Sequence, residues 1–178
     1  NVKGLKVAWS YSTGHMKTHA DAVQRAAFEA TPILAGGRLY LCSSFNVASA
    51  HDPGTGKALW TFDPKIDAGA RYPNSFNCRG VAYWRDPAAP ADAPCAERIF
   101  MASNDRRLFA LDAATGRACA GFGQAGQVDA MPGARLARPD GAQITSAPVV
   151  IDGIVVVGSS IDDNQRVRET PGAVHAFD

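Results

Sequence analysis

The sequence predicts an all-β chain that forms a partial β-propeller, about two to three four-stranded blades. Three observations carry that expectation. An Asp-x-x-Thr-Gly turn recurs along the chain, strand-like sequence precedes each copy, and the runs between turns are rich in apolar residues. The first copy reads Ala50-His51-Asp52-Pro53-Gly54-Thr55-Gly56-Lys57-Ala58-Leu59-Trp60. The second reads Ala110-Leu111-Asp112-Ala113-Ala114-Thr115-Gly116-Arg117-Ala118-Cys119-Ala120, and a third begins at Val174-His175-Ala176-Phe177-Asp178. Self-similarity at a spacing of tens of residues marks propeller blades or a solenoid.

Each element has a local cause. The turn aspartate accepts bonds from nearby backbone N–H groups, and the glycine supplies a left-handed residue. Trp60 or Phe122, just beyond the turns, fills space between neighbouring sheets. Thr31-Pro32-Ile33-Leu34 runs through Gly36-Gly37 into Arg38-Leu39-Tyr40-Leu41-Cys42, and Ala147 to Ile151 runs through Asp152-Gly153 into Ile154 to Val157. Gly-Gly and Asp-Gly between such runs are hairpin signals. Arg98 to Ala102 and Arg107 to Leu111 form another hairpin across Asp105-Arg106. Near-continuous apolar strands fit blades buried on both faces. Residues 12–30 and 64–77 carry few strand signals and read as loops over one end of the propeller. The Pro/Ala-rich 87–94 reads as a surface excursion, and His51, ahead of the first turn, as a structural variation.

A closed propeller needs roughly four to eight blades. The expectation is therefore that residues 1–178 are a fragment of a single propeller domain, with repeat turns near 52–56 and 112–116 and a third beginning at 178. The opening Asn1-Val2-Lys3-Gly4 reads as the middle of a protein, with any targeting segment upstream. An unclosed arc exposes blade faces, which favours self-association.

Composition narrows the function. The 18 basic and 17 acidic residues leave a net charge of +1, which gives no reason to expect nucleic acid or an anionic membrane as partner. No stretch approaches the roughly 20 apolar residues that span a bilayer. The four cysteines, Cys42, Cys78, Cys95 and Cys119, contain no Cys-x-x-Cys pair, which argues against zinc. An even count suits one or two disulfides in an oxidising compartment, with buried free thiols as the other reading. Cys95 and Cys119 flank one hairpin and are the first pair to test.

Several segments together resemble the quinoprotein dehydrogenases, which carry pyrroloquinoline quinone (PQQ), and most of all their membrane-bound glucose/quinate/shikimate branch. They are Leu5 to Gly14, Phe28-Glu29-Ala30-Thr31-Pro32, Leu39-Tyr40-Leu41-Cys42, Cys78-Arg79-Gly80-Val81-Ala82-Tyr83, Thr145-Ser146-Ala147-Pro148, and Asp163-Asn164 ahead of Arg168-Glu169-Thr170. The resemblance runs in order over essentially the whole chain and implies the early blades of a propeller of about eight. It also implies oxidation of a sugar, polyol or cyclic hydroxy acid by hydride transfer to the quinone. A divalent cation, calcium or magnesium, assists, and electrons pass to ubiquinone. The implied setting is the periplasmic side of an inner-membrane-anchored protein.

The resemblance extends residue by residue. Arg79 matches the family arginine that contacts the quinone, and a guanidinium offers a fixed fork of donors to carboxylate or quinone oxygens. Glu29 and Thr145 match residues that hydrogen-bond the cofactor, and Ser159 and Ser160 fall near its expected face. Asp163 and Asn164 match the metal position, where a carboxylate and an amide oxygen are hard ligands, with Asp162 adding charge. Glucose-type relatives carry a histidine four residues before the arginine, where this chain has Ser75. That puts glucose in doubt as substrate and makes Ser75 the substrate-facing candidate. The catalytic aspartate, a lysine and the aromatic that stacks on the ring belong to later blades. No catalytic residue is expected in this chain, and no turnover from it alone.

The contrasting reading is a non-catalytic propeller of the same repeats, acting as a binding or outer-membrane assembly scaffold. Such a scaffold has short, regular blades and no use for the Cys-Arg-Gly and Asp-Asn loops. A third reading is a family member that has lost catalysis.

Overall fold

The computed structural model describes residues 2–162, 167 and 170–178. A short helix α1 (His15–Thr18) and a strand β1 (Ala26–Ala27) precede the first blade. That blade is β2 (Ile33–Ala35), β3 (Arg38–Cys42), β4 (Ala48–His51) and β5 (Ala58–Phe62). After β6 (Phe76–Asn77) come β7 (Ala82–Arg85), β8 (Glu97–Ala102), β9 (Arg107–Asp112) and β10 (Gln127–Asp129). Beyond β11 (Ala142–Gln143) lie β12 (Val149–Ile151), β13 (Ile154–Gly158), β14 (Ser160–Ile161) and β15 (Val174–Phe177). Two sheets are four-stranded antiparallel meanders, β2 to β5 and β7 to β10, and a third, β12-β13-β15, is three-stranded. The chain is a partial propeller. None of its described helices is long and apolar enough to cross a membrane.

Strand alternation sorts the core into layers. Tyr40, Cys42, Ala48 and Ala50 of the first blade pack with Ile99, Met101, Phe109 and Leu111 of the second. The neighbouring positions Phe100, Ala102, Leu108 and Ala110 turn the other way, onto Val155 and Val157 of the third blade. The middle blade is therefore apolar at successive positions, as a sheet covered on both faces must be.

The repeated turns do what their sequence asks. Asp52 Oδ1 accepts from Thr55 N–H and Thr55 Oγ1, each at 2.8 Å, and Asp112 Oδ1 does the same with Thr115 at 2.9 and 2.8 Å. Trp60 donates its indole N–H to Ala113 O at 3.0 Å and lies flat on Gly116, where a Cβ would come within 2.5 Å of the ring. Trp9 repeats the arrangement on Gly56, with its indole N–H on Pro53 O at 3.0 Å. Phe122 is buried against Phe100, and His51 is a buried core residue bonded to Ser49 and Gly56.

The loop expectation needs one correction. Within residues 12–30 and 64–77, β1 and β6 pair in parallel, with Ala26 opposite Phe76 and Ala27 opposite Asn77. Phe76 and Asn77 are buried, so their backbone groups need partners, and two residues are too few to show a periodicity. Two disulfides close the fold, Cys95–Cys119 and Cys42–Cys78, and no described cysteine is free.

Candidate cofactor site

The Cys-Arg-Gly segment lies between the entrances to the first and third blades. Arg79 donates its backbone N–H to Thr145 O at 2.8 Å, and Arg79 O accepts from Thr31 N–H at 2.9 Å. Gly80 permits this crossing, because a Cβ there would come 3.3 Å from the Ala147 side chain. The Arg79 side chain repeats the link: Nε donates to Glu29 Oε2 at 3.1 Å and Nη1 to Thr145 Oγ1 at 2.7 Å. Residues that are 50 and 66 positions from Arg79 in sequence thus meet on one guanidinium. Its Nη2 makes no hydrogen bond among the described residues. Asn77 adds a donor to Glu29 Oε2 at 2.6 Å. The Asn77 bond, followed by the charge of Arg79, holds the Glu29 carboxyl below the usual glutamate range despite some desolvation.

A buried amide network supports the segment. Asn77 O accepts from Asn46 Nδ2 at 3.2 Å and Asn104 Nδ2 at 2.8 Å, and Asn104 Nδ2 also reaches Ile144 O at 3.2 Å. Asn104 N–H donates to Asn46 Oδ1 at 2.8 Å. Asn104 therefore ties together the segments that carry Arg79 and Thr145. Asn77 Oδ1 is buried without a hydrogen-bond partner among the described residues.

Beside Arg79 is a cavity of about 410 Å³ whose lining includes Arg79, Thr145, Ser146, Ser159 and Ser160. Ser159 Oγ donates to Ala173 O at 3.1 Å and accepts from Ala173 N–H at 2.8 Å. Ser160 Oγ accepts from Asn74 Nδ2. Ser75, next to Asn74, is not among the residues lining this cavity; it has a positive φ of 59°, and its carbonyl accepts from Gln143 Nε2 at 3.1 Å. Asp163 and Asn164 lie outside the described residues. Asp162 is engaged by Arg138, Nε to Oδ2 at 2.8 Å. The motifs brought out Arg79, Glu29 and Thr145 but missed Asn46, Asn77 and Asn104. A signal for two of these was present, since Asn46 and Asn104 both fall in hairpin turns at the ends of inner strands, in Ser-Phe-Asn and Ala-Ser-Asn.

Antiparallel meanders stacked as blades, with loops meeting at one half-exposed arginine, are the architecture of a partial β-propeller. The family model described as "PQQ: Glucose/ethanol/alcohol dehydrogenase, beta-propeller domain" matches residues 1–178, and the chain belongs to that family. The quinoprotein glucose dehydrogenase of Gluconobacter oxydans is 38% identical over all of this chain, which covers 23% of that relative. The quinate/shikimate dehydrogenase (quinone) of Acinetobacter baylyi is 31% identical, again with 100% of this chain and 23% of the relative covered. The solved quinohemoprotein alcohol dehydrogenase of Comamonas testosteroni superimposes with a TM-score of 0.72 at 30% identity, covering 100% of this chain and 22% of that one. The chain thus spans about a quarter of the length of the curated relatives it matches.

The donor set fits the cofactor the family implies. PQQ is a tricarboxylate quinone, and the cavity lining includes the Arg79 guanidinium, whose Nη2 makes no hydrogen bond among the described residues, and the hydroxyls of Thr145, Ser146 and Ser160, while the Ser159 hydroxyl is already engaged by Ala173.

Proposed function

We propose that this chain forms part of a PQQ-dependent dehydrogenase that oxidises a sugar, polyol or cyclic hydroxy acid, with electrons passing to ubiquinone. The observation that carries the reading is the Arg79 guanidinium, fixed at Nε and Nη1 and without a hydrogen bond at Nη2 among the described residues, on the wall of a hydroxyl-lined cavity. When bound, PQQ supplies the hydride acceptor.

The chain's own residues bind and orient. Arg79 directs its free N–H groups at a carboxylate or quinone oxygen, a bidentate geometry lysine does not provide. Glu29 remains ionised beside it, which keeps the guanidinium in one orientation and reduces the net charge of the wall. Thr145 holds Nη1 and presents a hydroxyl, and Ser159 and Ser160 extend the polar lining. In this reading Asp163 and Asn164 contribute carboxylate and amide oxygens to calcium or magnesium. Ser75 faces the substrate; it cannot titrate near neutral pH, which favours a substrate other than glucose. The chain supplies no catalytic base and is inactive alone. Two disulfides support an oxidising compartment, here the periplasmic side of an inner-membrane-anchored protein.

The test is a titration of the purified chain with PQQ, with and without calcium, followed by the fluorescence of Trp9, Trp60 and Trp84. The expected result is saturable, calcium-enhanced quenching that Arg79→Ala abolishes. Quenching that is the same in the wild type and Arg79→Ala would remove Arg79 from the cofactor site.

A further inference from the structure

Cys78 immediately precedes Arg79, and its disulfide partner Cys42 is the last residue of β3, on the inner side of the first blade. Both cysteines are buried, at 0% and 2% exposure. Cys42 sits in a regular ladder opposite Ala48 and packs in the core between the first two blades. The Arg79 side chain, by contrast, is half exposed, and its two anchors belong to other segments. A long side chain holds two such bonds together only if its Cα is fixed, since hydrogen bonds weaken steeply with small errors of distance and angle. On its N-terminal flank Arg79 is tied through the backbone to the two-residue strand β6 and through the Cys42–Cys78 bond to the five-residue strand β3, while its own N–H and C=O are held by Thr145 and Thr31.

We propose that the Cys42–Cys78 disulfide is a positioning element for the cofactor-binding arginine: it transfers the rigidity of β3 to the backbone of Arg79 and so sets the direction in which the guanidinium faces. The inference rests on the reading of Arg79 as a cofactor ligand, but its test needs no cofactor. Burial of both sulfurs shields them from attacking thiolates, so the bond is a standing brace and not a switch.

The molecule contains its own control. Cys95–Cys119 closes a loop of similar size, 24 residues apart in sequence against 36, with Cys95 bonded to Asp112 and Arg98 and Cys119 in the core of the second and third blades. In ¹⁵N-labelled full chain, exchange of the Arg79 Nε–H with water reports its bond to Glu29. The double variant Cys42→Ala/Cys78→Ala is expected to exchange this proton about ten-fold faster, the change that loss of one charge-assisted hydrogen bond gives. The Glu29 carboxyl midpoint, read by carbon NMR, is expected to rise towards the ordinary glutamate value in the same variant. Cys95→Ala/Cys119→Ala is expected to leave both unchanged while losing comparable thermal stability. If the first variant fails to fold, Cys42→Val/Cys78→Ala restores most of the lost volume without restoring the link, and the same two shifts are expected. Unchanged Arg79 exchange in whichever linkless variant folds, or equal shifts in the Cys95/Cys119 control, would overturn the proposal. The PQQ titration stands or falls separately.

Discussion

Glu29 answers to two residues of one segment, Asn77 and Arg79, and both favour its charged form. A carboxyl whose folded pKa is depressed contributes stability that is present above the unfolded value, about 4.3, and is lost as pH falls through the folded value. The Arg79–Glu29 contact is therefore expected to persist at pH 4.3, where a free glutamate is about half protonated. Carbon NMR of Glu29 from pH 7 to pH 2 measures this, and a midpoint at the free value would contradict it. Asn104 gives a second expectation. It is fully buried and its amide serves Asn77 O and Ile144 O, so Asn104→Ala takes the donor from Ile144 O, leaves Asn77 O with Asn46 Nδ2 alone, and is expected to lose about 1–3 kcal/mol in urea unfolding. Arg79 and Thr145 were legible because they sit in compact motifs. The three asparagines were not: Asn46 and Asn104 stand in hairpin turns, where asparagine is ordinary turn chemistry, and none of the three falls in a matched motif that would point to contacts 27 to 58 positions away.

At the scale of elements, the turn glycines separate two effects that sequence runs together. Gly116 and Gly153 both have positive φ, 71° and 85°. A Cβ at Gly153 would come no closer than 3.9 Å to another residue, the Trp84 ring, whereas one at Gly116 would lie 2.5 Å from Trp60. Gly153→Ala is expected to lose about 1–2 kcal/mol from backbone strain alone. Gly116→Ala is expected to lose about 1–3 kcal/mol more, because the indole must leave its seat on the next blade. Thermal unfolding of the two variants compares them directly, and equal losses would mean the indole moves aside freely. The sequence showed both the repeat and its docking tryptophan, since turn chemistry and an aromatic at fixed spacing are local. The parallel β1–β6 pairing was hidden, since it joins two-residue strands 50 positions apart, too short to show any alternation.

Across the whole molecule, the middle blade is covered on both faces, the first blade is also covered behind its inner strands, where Leu41, Ser49 and His51 are buried and Tyr11 lies against His51, and the third blade is covered on one. The strand register of the third blade makes the consequence specific. Val149 pairs with Val156 and that with Ala176, Ile151 pairs with Ile154, and Gly158 pairs with Val174, so these residues share one face. The opposite face, with Val150, Val155, Val157 and Phe177, packs on the second blade. Val149, Ile151 and Val174 are left 55%, 58% and 72% exposed on the outward face. A contiguous apolar sheet face of this kind is associative in water, more so beside the unpaired edge of β15. The isolated chain is therefore expected to self-associate, with a sedimentation coefficient that rises with concentration in the micromolar range. Ile151→Lys/Val174→Lys is expected to return it to monomer. Each lysine would replace an exposed side chain, so the melting temperature of the monomer should stay within a few degrees of the parent's. A wild-type chain that sediments as a monomer at all concentrations would show instead that this face is tolerated in water.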